Sequence, residues 1–198
     1  MLNRVLPLAA ASALAMSGAA SAGIISFNDA SLFALFATSE GKAVATEEFS
    51  SYSGFYTSPL TGNFAAAAGF SWTASASGGL YADGGLMSTQ NPSTSLTFTF
   101  NQGVQGVGGR FFATDITFAV QPTFLRVTLS DGSGFIGSVS SATAFTGFYS
   151  TGALITSISF SVDSGEYPTA DTLSIVVPAP GAVALLGAAG LVGRRRRR

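Results

Sequence analysis

Thr94-Ser-Leu-Thr-Phe-Thr-Phe100 alternates strictly, with Leu96, Phe98 and Phe100 on one face and Ser95, Thr97 and Thr99 on the other. Side chains of an extended strand point to opposite faces in turn, so this stretch predicts a strand with one buried and one wet side. Two more segments repeat the pattern. Thr123 to Ser130 sets Leu125, Val127 and Leu129 against Phe124, Arg126 and Thr128, and Ser157 to Val162 sets Ile158, Phe160 and Val162 against three serines. Further strands are expected at Gly69 to Thr73, Val107 to Ala113, Ile116 to Val120, Gly134 to Val139, Phe145 to Ser150 and Asp171 to Val176.

Turn chemistry separates these runs. Asp131-Gly-Ser-Gly134 and Asp163-Ser-Gly165 supply the positive φ that tight connections need. Short strands at this spacing predict an all-β, antiparallel β-sandwich, with 17 phenylalanines to fill the space between its sheets. One short helix is expected near residues 30–38: Asn28 or Asp29 can cap it, Leu32, Phe33 and Phe36 make its apolar stripe, and Gly41 ends it. Ser50 to Ala67 reads as a long loop, and Ala74 to Asn91 as a Gly/Ser-rich stretch with little pattern.

The two ends have a different character. Met1 to Arg4 is a short positive region, Val5 to Met16 is apolar, and Ala20-Ser-Ala22 places small residues where signal peptidase reads. That order predicts a signal helix over residues 1–22, with cleavage between Ala22 and Gly23. At the other end, residues 182–193 are apolar and uncharged, and Arg194, Arg195, Arg196, Arg197 and Arg198 follow directly. Twelve helical residues span about 18 Å against about 30 Å of hydrocarbon, so this transmembrane-like helix is a marginal one. Arginines resist translocation, which orients the segment with its charged end inside. A nucleic-acid role for the arginines conflicts with export, and a lipid anchor of the GPI type has no need of them.

Composition then limits the chemistry. Of nine basic residues only Lys42, Arg110 and Arg126 lie in the 23–176 region, whereas all ten acidic residues do, a net charge of −7 there. Such a surface disfavours nucleic acid and anionic membrane as partners. The chain contains no Cys and no His, which removes disulfides, thiol nucleophiles, Cys/His zinc sites and the Ser-His-Asp triad. Carboxylate chemistry is what remains. Glu47-Glu48 would send its two carboxylates to opposite faces of a strand, and glycoside hydrolysis needs a second acid at a defined distance. Asp131, Asp163, Glu166 and Asp171 lie in or beside turns, where they offer oxygen ligands for calcium or simply shape the turn. Among aromatic residues suited to stack on sugar rings, Trp72 alternates with Phe70 and Ala74 and so points to the core. Tyr81, in a glycine-rich stretch, is the better candidate, and Tyr149 is a third.

The sequence Val177-Pro178-Ala179-Pro180, a short apolar helix and a terminal arginine cluster together resemble the PEP-CTERM sorting tail of bacterial exported proteins. The chain carries Ala179 where that family has a Glu. Three regions are therefore expected: a signal peptide (1–22), a β-sandwich ectodomain (23–176) and a sorting tail (177–198), the last made of a Pro-x-Pro motif (177–181), a helix (182–193) and the arginines (194–198). The segments Phe27 to Phe36, Ala45 to Phe49, Phe145 to Val162 and Thr169 to Val176 also follow an order similar to many PEP-CTERM ectodomains, which look like jelly rolls of the carbohydrate-binding-module kind. By that analogy Glu47 and Asp171 are the calcium ligands to expect. The resemblance implies processing by signal peptidase and an exosortase-like enzyme, with a membrane-anchored stage before arrival at the cell surface or matrix. A non-catalytic envelope or extracellular-matrix protein that binds exopolysaccharide is the expected role. The alternatives are a secreted carboxylate-dependent glycoside hydrolase and a purely structural surface component.

Overall fold

A computed structural model describes residues 23–163 and 165–179. The expected signal peptide with Ala20 and Ala22, the helix over 182–193, Pro180 and the five arginines lie outside the described residues. Within them no helix is long and apolar enough to cross a membrane.

The chain forms two antiparallel sheets packed as a sandwich. In order, β1 (Ile24–Phe27) leads to α1 (Ala30–Ser39), β2 (Lys42–Glu47), β3 (Gly54–Tyr56), β4 (Leu60–Asn63), β5 (Ser71–Ser75), β6 (Leu80–Asp83), β7 (Leu86–Thr89) and β8 (Leu96–Val104). The second half contributes β9 (Gly106–Thr114), β10 (Val120–Gln121), β11 (Thr123–Leu129), β12 (Gly134–Val139), β13 (Phe145–Ser150), β14 (Ile155–Ser161) and β15 (Tyr167–Pro178). One sheet runs β12-β11-β14-β8-β5-β4. The other runs β1-β13-β9-β15-β7-β6-β3, with β10 added to β9 and β2 to β15.

Most of the alternating stretch Thr94 to Phe100 lies in β8, and its apolar face closes the core. Leu96 and Phe98 are fully buried. The Phe98 ring packs against Phe49 at 5.7 Å, Trp72 at 6.0 Å and Phe160 at 6.5 Å between centroids. Phe160 on β14 stacks in turn on Phe111 of β9 at 4.7 Å, which joins the two sheets across the middle. On the outer faces, cross-strand hydroxyls meet directly: Thr97 with Ser159 at 2.8 Å, and Thr46 with Ser174 at 2.8 Å. Such pairs are the unit of sheet stabilisation.

The helix forms where expected and for the expected reason. Asp29 caps it, its Oδ1 accepting from the Leu32 amide at 2.8 Å, and Gly41 follows the end at φ +67°. Its buried side is Phe33 and Ala37 with Phe36 half-buried, whereas Leu32 faces solvent. That side lies on the outer face of the β1/β2 sheet, against Phe27, Val44, Phe145, Tyr149 and Val176. Gly106, Gly108 and Gly147 leave the sheet bare enough for this contact: a Cβ on Gly147 would come 3.1 Å from the Phe33 ring.

Three sequence expectations need correction. Ile116 to Val120 is not a strand; the Asp115 side chain captures the Thr117 and Ala119 amides and winds the segment into a turn, leaving only β10. The stretch 50–67 holds β3 and β4, and 74–91 holds β6 and β7. These strands are three or four residues long, too short to show a period. Finally, β15 runs through Val177 and Pro178, which pair with Ala43 and Lys42, so two residues assigned to the sorting motif belong to the sandwich.

The tightest approach in the sheet is at Gly109. A Cβ there would sit 2.1 Å from the Thr172 carbonyl oxygen, at the irregularity where β15 shifts register against β9. Gly109→Ala is therefore expected to cost about 1–3 kcal/mol, the usual range for forced overpacking. A urea midpoint unchanged from the parent would show that the β9–β15 contact relaxes freely.

Candidate aromatic cleft

Each strand of the nine-stranded sheet turns one face outward, and α1 covers only part of it. Along β9, Gly106 and Gly108 lie beneath the helix, Arg110 is exposed, and Thr114 lines the space farther along. Arg110 Nη1 pairs with Asp171 Oδ2 at 2.8 Å and marks the boundary. Beyond that ion pair the outer face opens into a cleft of about 380 Å³.

Four separate parts of the chain build it. On β6, Tyr81 and Asp83 share a face, being two residues apart. Ser88 of β7 stands opposite Tyr81, Thr169 of β15 stands opposite Ser88, and Tyr167 stands opposite Thr114 of β9. The turn after β9 adds Asp115, Ile116 and Phe118. Phe118 adopts φ +63°, a conformation that costs a non-glycine residue energy and persists where the surroundings impose it. Here the Asp115 carboxylate imposes it. Its Oδ1 accepts from Thr117 N (2.8 Å), Thr117 Oγ1 (2.7 Å) and Ala119 N (3.1 Å), while Oδ2 accepts from Gln121 Nε2 at 3.1 Å. So fixed, Phe118 lies 5.6 Å from the Tyr81 ring at a 38° tilt, and the two make one continuous aromatic wall.

The floor is polar. Thr114 Oγ1 lies 2.9 Å from Thr169 Oγ1, Thr169 Oγ1 donates to Ser88 Oγ at 2.9 Å, and Ser88 Oγ donates to the Pro168 carbonyl at 3.3 Å. All three hydroxyl residues are buried and internally satisfied, so the floor is pre-organised. Hydrogen bonds from the Thr117 side chain first, and from its amide next, hold the Asp115 carboxyl below the ordinary carboxylate range. Asp115 thus stays ionised and keeps its oxygens on its own turn.

The other predicted site residues fall elsewhere. Trp72 is fully buried beside Phe49 and Phe98, with its Nε1 lacking an acceptor, and so cannot serve as an exposed platform. Tyr149 is buried under the helix against Phe36 at 4.9 Å. Strand β2 ends at Glu47, whose Oε1 accepts from the Phe49 amide at 2.9 Å; Glu48 lies beyond the strand end. Asp171 is committed to Arg110, and Asp163 to the Phe124 amide and Arg126. Asp131 closes its own turn through Ser133. Glu47 and Asp171 are thus engaged separately, and no group of three acidic side chains converges among the described residues. Of the sequence candidates only Tyr81 lies in the cleft. Asp115-Ile-Thr117 carried a usable signal, since an Asx turn needs an Asp two residues before an amide it can accept from.

The Asp115 turn yields a pH prediction. A carboxylate whose folded pKa is depressed contributes stability above its unfolded value, near 3.8, and loses it as pH falls through the lower folded value. The Thr117 and Ala119 amide resonances are therefore expected to titrate together below pH 3.8, and Asp115→Asn to abolish the transition. Amides that titrate at the ordinary carboxylate value would contradict this account of the turn.

The chain matches no family model and no curated protein at a level that would show kinship.

Proposed function

We propose that this chain is an exported, jelly-roll-like protein of the cell envelope or extracellular matrix that captures polysaccharide in the Tyr81/Phe118 cleft without cleaving it. The observation that carries the proposal is the aromatic wall standing over a buried hydroxyl floor. A sugar ring presents C–H groups on its faces and hydroxyls around its edge. Flat rings bind the first, and a few placed polar groups orient the second. Export, a transient membrane anchor and handling by signal peptidase and an exosortase-like enzyme draw on the sequence at 1–22 and 177–198 alone.

One observation favours a second reading, carboxylate-dependent glycoside hydrolysis: both Asp83 and Asp115 line the cleft. That chemistry needs one carboxyl that keeps a proton to give to the leaving group. Asp115, held ionised, is unsuited to that part. Its oxygens are taken by Thr117, Ala119 and Gln121, so they are not free to attack or to activate water either. Asp83 is exposed, and capture without cleavage is preferred.

Two measurements test these assignments. On a glycan array the purified chain is expected to retain polysaccharide, and Tyr81→Ala to weaken the best ligand by tenfold or more, about 1.4 kcal/mol. Retention untouched by the substitution would remove the cleft from the proposal, while reducing ends released by the parent and not by Asp83→Asn would establish the hydrolase instead. Separately, exported material is expected to begin at Gly23, and N-terminal sequencing that finds Met1 on it would refute cleavage between Ala22 and Gly23.

A further inference from the structure

The cleft is aromatic, and its rim is anionic without a balancing cation. Of the three basic residues described, Arg110 is paired with Asp171 at 2.8 Å and Arg126 with Asp163 at 3.1 Å. The third, Lys42, stands opposite Pro178 at the far end of β15 from Tyr167. Asp83 and Asp115 therefore face the cleft with no cationic partner among the described residues. Asp83 is exposed and shares its face of β6 with Tyr81. Asp115 supplies charge to the rim even though its oxygens are held in its own turn.

We infer that the cleft selects a cationic polysaccharide, a polymer of amino sugars with free, protonated amines, over neutral and acidic ones. The inference rests on the polysaccharide assignment above and names its chemical class. Three aromatic rings, those of Tyr81, Phe118 and Tyr167, line the space where a bound ammonium group would lie. A cation over such a ring is attracted to its electron-rich face, and the attraction grows where water is displaced. The two carboxylates add a field of the same preference and repel uronate or sulfated chains, so discrimination comes from rejection as much as from attraction. The ten acidic against three basic residues between 23 and 176 extend that field over the whole domain and raise the encounter rate with a polycation. A neutral sugar gains from the wall and the floor but nothing from the rim.

The test measures binding of the full chain to three oligomers of equal length by calorimetry: glucosamine, N-acetylglucosamine and a uronic acid. Glucosamine oligomers are expected to bind at least tenfold more tightly than the N-acetylated form, with the preference eroding as salt rises. Asp83→Asn, a change at an exposed position, is expected to cut glucosamine binding roughly tenfold and to leave the weaker N-acetylated binding as it was. Tyr81→Ala is expected to reduce both. N-acetylated or uronate oligomers bound as tightly as glucosamine would overturn the charge preference and leave polysaccharide capture standing. Glucosamine binding that survives both substitutions would also overturn it, because the general acidity of the surface would then suffice. Failure of all three oligomers to bind would overturn both.

Discussion

The pairing of β9 with β15 is the constraint on which the rest of the larger sheet depends. β9 is flanked by β13 and β15, and β15 carries β2 on its second half and β7 on its first. If this ladder slipped by one residue, Leu173 and Ile175 would leave the core and Ser174 would enter it. The register is instead fixed at three places. Phe111 reaches across to Phe160, Gly109 admits the Thr172 carbonyl, and the irregularity between Ala170 and Thr172 absorbs the mismatch. Bulges of this kind turn the strand locally and often lie next to functional surfaces. Here it lies between the part of the sheet under the helix and the part that opens into the cleft.

That division explains why the outer face has two characters. Under α1 the strands offer Gly106, Gly108 and Gly147, so backbone and helix approach closely and the phenylalanines of the small outer cluster fill the gap. Past Arg110, β9 and β15 offer Thr114 and Thr169, which bond to one another and to Ser88 of β7 instead of to a covering element. One sheet thus supports a dry contact at one end and an open concavity at the other, where the turn after β9 supplies part of the wall.

Much of this fold was legible in the sequence. β8, β11 and β14 announced themselves by period, and α1 by its Asp29 cap and Gly41 stop. The losses share a cause. β3, β4, β6 and β7 are too short for alternation to accumulate, and the apolar residues of 116–120 imitated a strand that the Asp115 side chain forbids. The cleft was less legible still. Tyr81 could be picked out as an aromatic residue in a glycine-rich stretch. Its partners come from β7, β9, the following turn and β15, and only register brings them together. Trp72 shows the converse: its alternation with Phe70 and Ala74 already pointed it inward, and burial settles the matter.

The position of β15 also has a mechanical meaning. Its hydrogen bonds run perpendicular to the strand and engage neighbours on both sides, down to the pair Pro178 and Lys42. Tension applied at Pro178 along the strand axis would load the β2 and β9 ladders together, in shear. Yielding then requires many bonds to fail at once, where a strand peeled from an edge gives way one bond at a time. The hydrophobic side chains of Leu173, Ile175 and Val177 would have to be dragged through the core in the same event. A domain built this way resists a pull on its last strand better than its thermodynamic stability alone would indicate.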